Sequence, residues 1–154
     1  MEKATFAAGC FWCLEETFSQ LEGVYTTTVG YTGGDLPNPT YQDICTGNTG
    51  HAEALQVFFD PSVITYKQLL SLFWNCHDPT SVNRQGANIG SQYRSILFYN
   101  SEEQKIAAVA SKERMQNLSS QSIATEILPE RPFYPAEEYH QHYFAKRKLG
   151  NYVS

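Results

Sequence analysis

The order in which strand-like and helix-like periods follow one another over residues 1–99 narrows the fold more than any other feature of the sequence. Ala4-Thr5-Phe6-Ala7-Ala8 reads as a short buried strand, ended by Gly9. Phe11, Leu14, Phe18 and Leu21 then recur at helical spacing on one face, and Gly23 suits the position just past a helix end. Val24 to Tyr31 is rich in β-branched and aromatic residues and reads as a strand. Glu53 to Phe59 is the next strand, closed by Asp60-Pro61. Thr65-Tyr66-Lys67-Gln68 is a capping box opening a helix that carries Leu69, Leu70, Phe73 and Trp74 and ends near Cys76-His77. Tyr93 to Tyr99 is a fourth strand. The sum is β-α-β-β-α-β, the split βαβ or ferredoxin-like layout of the α+β class, with helices packed on an open sheet.

The rest of the chain extends that core as α-β-α. Ser101 to Leu118 reads as a helix opened by a second capping box (Ser101, Gln104), with Ile106, Val109 and Ala110 turned inward. Ser122 to Leu128 is a last strand. Pro129, Pro132 and Pro135 forbid regular structure between them, and Pro135 is placed to start a final helix reaching about Lys148. Thr32 to His51 and residues 78–92 show no period. Stretches of that length inside a compact domain usually carry function. No repeat, low-complexity tract or linker divides the chain, so residues 1–154 read as a single catalytic domain.

Charge and composition remove several function classes. A net charge of −5 argues against nucleic acid as a partner, because phosphate binding needs clustered Lys and Arg. The one basic cluster, Lys146-Arg147-Lys148, reads as a solvated helix end. No run is long enough to span a membrane. Lys3, the small residues that follow and Cys10 faintly resemble a lipoprotein signal, but the apolar stretch is shorter than the roughly 7–15 residues of a signal core. The expectation is a chain that starts as mature protein in the cytoplasm. Reducing conditions there make a static disulfide framework from Cys10, Cys13, Cys45 and Cys76 improbable.

The chemistry-bearing residues begin with Gly9-Cys10-Phe11-Trp12-Cys13. A C-x-x-C pair is half a zinc site, a dithiol redox pair, or two unrelated thiols. Zinc needs two further ligands at compatible spacing, and Cys45, Cys76, His51, His77, His140 and His142 form no second C-x-x-C or H-x(3–5)-H. Position favours the redox pair: a helix N-terminus stabilises a thiolate, so Cys10 is expected to be unusually acidic, with Cys13 one turn on. Cys45 and Cys76 read as inert packing. Glu53 lies where a long loop meets a strand, beside Leu55, Val57 and Phe58. It is either an exposed strand-end carboxylate or a poorly solvated general acid. Tyr41 and Tyr93 are read at the far ends of the two loops, where phenols can donate to a developing oxyanion, although either alone is more often a surface or core tyrosine.

Several motifs in order resemble the peptide methionine sulfoxide reductase A family. They are Gly9-Cys10-Phe11-Trp12, Gly33-Gly34 with Pro39-Thr40-Tyr41, Thr49-Gly50-His51-Ala52-Glu53, His77-Asp78-Pro79-Thr80, Arg84-Gln85-Gly86 with Gln92-Tyr93-Arg94-Ser95, and Ala136-Glu137-Glu138-Tyr139-His140-Gln141. The resemblance spans nearly the whole chain. It implies that Cys10 attacks the sulfur of a methionine S-sulfoxide while protonated Glu53 gives its proton to the sulfoxide oxygen. It implies that Tyr41 and Tyr93 hold that oxygen, and that Phe11 and Trp12 form an apolar slot for the substrate methyl. Sulfoxide sulfur is a poor electrophile until its oxygen is protonated, so nucleophile and acid must meet at one bond. Cys10 is left as a sulfenic acid. No metal or organic cofactor is implied; thioredoxin or another dithiol supplies the electrons.

Two departures from the family pattern stand out. Asn88 occupies the place of a common aspartate; it is expected to orient substrate by hydrogen bonding without carrying charge. No cysteine follows Cys76, where many relatives carry recycling cysteines. The resolving thiol is therefore Cys13, Cys45, Cys76 or an external thiol, with Cys13 expected from proximity, and the resulting Cys10–Cys13 disulfide is expected to be reduced by thioredoxin. The competing readings are a generic dithiol–disulfide oxidoreductase and a non-catalytic module that binds zinc or a peptide.

Overall fold

The computed structural model describes residues 1–147. Among the described residues eight strands form in chain order: β1 (Glu2–Ala7), β2 (Val24–Thr32), β3 (Ala52–Phe59), β4 (Arg84–Gln85), β5 (Asn88–Ile89), β6 (Ile96–Tyr99), β7 (Glu126–Pro129) and β8 (Tyr134–Pro135). The helices are α1 (Phe11–Ser19), α2 (Tyr41–Cys45), α3 (Tyr66–Asn75) and α4 (Glu102–Leu118), with 3-10 turns at Ser91–Tyr93 and Glu138–His140. Six strands make one sheet in the order β7-β6-β1-β3-β2-β8, while β4 and β5 make a separate hairpin. The central β6-β1-β3-β2 ladder is antiparallel throughout, as the split βαβ layout requires.

Period-two alternation divides the sheet into two faces. Ala4 and Phe6 of β1, Val29 and Tyr31 of β2, Leu55, Val57 and Phe59 of β3, and Leu97 of β6 enter the main core. There they meet Phe11, Leu14 and Phe18 of α1 and Leu69, Leu70, Phe73 and Trp74 of α3. Phe6 sits at the centre, stacked on Phe18 at 5.0 Å and 5.8 Å from Phe73. The opposite face carries Ala7, Ala52, Ala54, Ile96 and Phe98, covered by Leu128 and Phe133.

The α3 capping box forms as expected: Thr65 Oγ1 accepts from the Gln68 amide, and Gln68 Oε1 accepts from the Thr65 amide. The α4 box forms only by half. Ser101 Oγ accepts from the Gln104 amide, but Gln104 reaches past Ser101 to the Asn100 amide and, through Nε2, to the Lys3 carbonyl. This turns the helix. Gln104, Ala108 and Ser111 face inward, whereas Ile106 is 61% exposed and Val109 39% exposed, contrary to the expected inward face. Polar residues fit inside here because each has a partner; Trp74 Nε1 donates to Ser111 Oγ at 3.1 Å.

Short elements hide in the two aperiodic stretches. α2 is a single turn with its own capping box from Thr40 and Asp43, and residues 78–92 hold the β4–β5 hairpin. Tyr93 closes a 3-10 turn rather than opening β6. The expected final helix from Pro135 is a second correction. Pro135 belongs to β8, which pairs with β2 through Gly30 and Tyr31. The β2 edge is then sealed by a side chain: Gln141 accepts from the Val29 amide and donates to the Val29 carbonyl. Among the described residues of this segment helix begins at 143, and the expected end at Lys148 lies outside them.

Candidate active site

The site forms at the end of the sheet where β1 and β2 finish and β3 begins. Phe6 of β1 lies opposite Leu55, so the chain leaving β1 passes Glu53, and Glu53 is paired across the ladder with Tyr31. Gly9 makes the turn with φ +76°; a Cβ there would press to 2.9 Å from Gln85 Cβ. That contact seats the β4–β5 hairpin beside Cys10. Gln85 is fixed in turn, accepting from the Asp78 amide at 3.0 Å and donating to the Asp78 carbonyl at 2.7 Å.

Cys10 is the N-cap of α1. The first amides of that helix have no intrahelical partner, and the site divides them. The Phe11 amide donates to Glu53 Oε1 at 3.2 Å, while the Trp12 and Cys13 amides point at the Cys10 sulfur. Those two amides lower the thiol pKa, but burial outweighs them and pushes it up to about 11, with Glu53 raising it further. The expected acidic thiol is therefore not found. Among the described residues no cation offsets the loss of water around the sulfur, so Cys10 rests protonated.

Glu53 settles between its two readings. It faces the core with Leu55 and Val57, is 2% exposed, and accepts one hydrogen bond among the described residues, from the Phe11 amide. Burial pushes its carboxyl up to about 7, against the pull of the Phe11 amide. It is a buried acid that holds a proton near neutrality.

Tyr41 opens α2 and Tyr93 closes the 3-10 turn, and the two phenols lie close enough to influence each other's ionisation. Burial raises both phenols, and both lie in the field of Glu53. Tyr93 also senses Cys10, so nucleophile, acid and both phenols converge. Cys45 joins them unexpectedly. It is exposed on α2 one turn after Tyr41 and lies close enough to raise that phenol, so inert packing does not describe it. Cys76 instead turns its thiol back to the Phe73 carbonyl. Cys13 is exposed on the first turn of α1, within electrostatic reach of Cys10.

The aromatic wall is built around a residue whose role the sequence did not disclose. His140 is buried, with the rings of Phe11 at 5.2 Å, Trp12 at 5.5 Å and Tyr41 at 4.6 Å. Trp12 Nε1 donates to His140 Nδ1 at 3.0 Å, which assigns the ring proton to Nε2. Burial lowers the His140 pKa, consistent with a neutral ring. Trp12 is further stacked on Tyr143 at 3.8 Å. Phe11 is only 1% exposed and forms the floor of this wall; Trp12 keeps partial exposure. Asn88 is exposed on β5, opposite Gln85 of the seated hairpin.

Two further motif residues hold the loops. His51 Nδ1 accepts from the Gly34 amide at 3.1 Å and Nε2 meets the Leu36 carbonyl at 2.7 Å. Arg94 donates to the carbonyls of Gly50 and Ser91. Among the described residues no group of three His, Cys, Asp or Glu side chains is arranged to hold a metal ion. What remains is a nucleophilic sulfur and a neutral carboxylic acid meeting at one point beside two phenols and an aromatic wall. Such a set can protonate a polarised oxygen while attacking the atom that bears it.

Known proteins are similar to this chain over nearly its whole length. The family model described as peptide methionine sulfoxide reductase matches residues 2–154. The chain is 57% identical over 149 residues to the peptide methionine sulfoxide reductase MsrA of Methanosarcina acetivorans, covering 96% of this chain and 79% of that one. The crystal structure of reduced Mxr1 from Saccharomyces cerevisiae superposes with a TM-score of 0.90 at 39% identity, covering 97% of this chain and 87% of that one. A second Mxr1 structure, in complex with Trx2, has a TM-score of 0.66 at 32% identity over 92% of this chain and 84% of that one. The chain belongs to the peptide methionine sulfoxide reductase family and is an oxidoreductase acting on methionine sulfoxide.

Proposed function

We propose that this chain acts as one catalytic domain that reduces methionine S-sulfoxide through Cys10, resolves the product through Cys13, and is recycled by a dithiol protein. The carrying observation is the buried, proton-holding Glu53 bonded to the amide next to Cys10. The sulfoxide oxygen sits between the hydroxyls of Tyr41 and Tyr93, and Glu53 gives it a proton. That makes the sulfur electrophilic. Cys10 attacks it, its thiol proton passing to the Glu53 carboxylate just formed; the sulfur–oxygen bond of the substrate breaks, and the oxygen ends on Cys10 as a sulfenic acid while methionine leaves. Trp12 faces the substrate methyl, with Phe11 beneath it, and Asn88 hydrogen-bonds the substrate backbone from the hairpin.

Cys13 then attacks the Cys10 sulfur, a disulfide forms and water leaves. A dithiol returns both cysteines to thiols and becomes a disulfide itself. Thioredoxin is the dithiol favoured here, because the related Mxr1 forms a complex with Trx2. Exposed thiols at Cys13 and Cys45 suit the reducing cytoplasm. A generic dithiol–disulfide oxidoreductase has no use for the Glu53–Tyr41–Tyr93 set.

One experiment tests the scheme in both halves. With one equivalent of methionine S-sulfoxide and no reductant, the protein releases one methionine, and mass spectrometry finds a Cys10–Cys13 disulfide. Cys10→Ser releases none. Cys13→Ser releases one methionine but does not cycle with thioredoxin. Methionine release by Cys10→Ser would remove the nucleophile; unimpaired cycling by Cys13→Ser would pass the resolving role to Cys45, Cys76 or an external thiol.

A further inference from the structure

One buried-edge interaction ties the C-terminal segment to the catalytic phenols. The Glu137 carboxylate accepts from the Tyr31 hydroxyl at 2.9 Å with Oε1 and from the Tyr41 amide at 3.0 Å with Oε2. Tyr31 is fully buried in the sheet and is the cross-strand neighbour of Glu53. Tyr41 is the first residue of α2, a single turn whose first amides need outside partners. Thr40 Oγ1 takes the Asp43 amide and Asp43 takes the Thr40 amide, both within the loop. The Tyr41 amide is taken from 96 positions away. That bond is a fixed link between α2 and the core, because Glu137 is itself held firmly. Ala136 donates to the Val29 carbonyl at 2.9 Å, and Gln141 brackets the same residue.

We propose that Glu137 is a positioning residue for the first chemical step: its carboxylate registers α2 against Tyr31 so that the Tyr41 hydroxyl stays beside that of Tyr93. This rests on the reading of Tyr41 given above. A five-residue helix carries too few hydrogen bonds to hold its own orientation. A phenol that donates to a developing oxyanion loses its value when displaced by about 1 Å. The neighbouring His140 ring packs against Tyr41 and against Phe11 and Trp12. Glu137 therefore controls the oxygen-binding half of the site, and His140 supports the apolar half from the same turn.

The test separates the first step from recycling. Single-turnover methionine release is measured without reductant, and reduction of the preformed disulfide by thioredoxin is measured on its own. Glu137→Ala is expected to slow methionine release on the order of 10–100-fold, close to the loss caused by Tyr41→Phe. Reduction of the disulfide should remain within about twofold. The Glu137→Ala/Tyr41→Phe double variant should be no slower than Tyr41→Phe alone, since both changes act through one hydroxyl. Glu137→Gln should recover most of the rate, because its oxygen can accept from the Tyr41 amide while its nitrogen donates to Tyr31. Should Glu137→Ala not fold, Glu137→Asp carries the same comparison, its shorter side chain being unable to span both donors. Losses that multiply in the double variant, or equal slowing of release and disulfide reduction, would overturn the proposal. An unimpaired Tyr41→Phe would instead strike the reading of Tyr41 itself, whatever Glu137→Ala does.

Discussion

Glu15 and Glu53 are both 2% exposed, and both carboxyls face the same core beneath α1, yet their surroundings differ completely. Glu15 accepts from the Thr27 hydroxyl at 2.8 Å and from the His142 amide at 2.6 Å, with the His142 ring 3.7 Å away. Glu53 has, among the described residues, one amide at 3.2 Å and no cation. A buried carboxylate with a full set of donors pins α1 to β2 and to the C-terminal segment. A buried carboxyl with one donor keeps its proton and can give it away. Burial alone does not identify a catalytic acid; the count of partners does.

The largest effect that could break this contrast is on rate. Glu53→Gln should slow single-turnover methionine release on the order of 100-fold or more, since a positioned general acid contributes about that much. Glu15→Gln should leave release near the wild-type rate. Stability should move oppositely. The Glu53 carboxyl is raised in the fold, from 4.5 to about 7, so the folded state holds its proton where the unfolded state has lost it. The stability associated with that proton is fully present below about pH 4.5 and is lost as pH rises through 7. Glu53→Gln removes that loss and should gain on the order of 2–3 kcal/mol at pH 8 in a denaturant titration. A rate loss in Glu15→Gln equal to that in Glu53→Gln would dissolve the distinction.

A smaller, sharper effect is the pH profile. The first step under limiting substrate should fall about tenfold per unit as pH rises above about 7, tracking the proton on Glu53. The Glu53→Gln variant should be slow and flat over the same range. A wild-type profile flat from pH 6 to 9 would detach the acid role from this carboxyl. Glu15→Gln, by contrast, should cost about 1–3 kcal/mol of stability by leaving the Thr27 hydroxyl or the His142 amide without its acceptor. Urea midpoints of the two variants at pH 8 should therefore move in opposite directions.

Legibility in the sequence followed the range of the interaction. The four-strand core and the α3 capping box were readable because periodicity and the Thr65–Gln68 exchange are local. The α4 face was misread because Gln104 is claimed by Lys3, which lies 101 positions away. The C-terminal segment was misread because Pro135, good for a helix start, is better used closing the β2 edge. In the site, Cys10 and Cys13 announced themselves by spacing. The burial of Glu53 did not, since it depends on how α1 lies over β3. His140 and Glu137 stood inside a recognised run of residues with no role attached, because their partners Trp12 and Tyr41 are 128 and 96 positions distant. The same reasoning explains Cys10: its spacing pointed to an acidic thiol, and only packing revealed that burial prevails over the helix amides.

His77 extends the contrast to a third ionisable group, a half-buried one, and supplies its mildest test. Its Nδ1 meets the Phe73 carbonyl at 2.7 Å, its Nε2 meets Ser95 Oγ at 2.8 Å, and Ser95 meets Thr125 Oγ1 at 2.7 Å. Both ring nitrogens are used, so by the partner count it is structural, although a histidine at the head of an His-Asp-Pro-Thr motif invites a catalytic role. With the Nδ1 proton given to Phe73, Nε2 must accept from Ser95, and a second ring proton would break the chain. Burial accordingly lowers its pKa from 6.5 to about 4. For a histidine depressed in the fold the unfolded state binds the extra proton first. Stability is whole above about pH 6.5 and declines as pH falls through the interval down to 4. His77→Gln should flatten that acid limb while leaving methionine release near the wild-type rate at pH 7. Release slowed as severely as in Glu53→Gln, in a variant that still folds, would show that a fully partnered group can also be chemical, and the partner count would fail as a criterion.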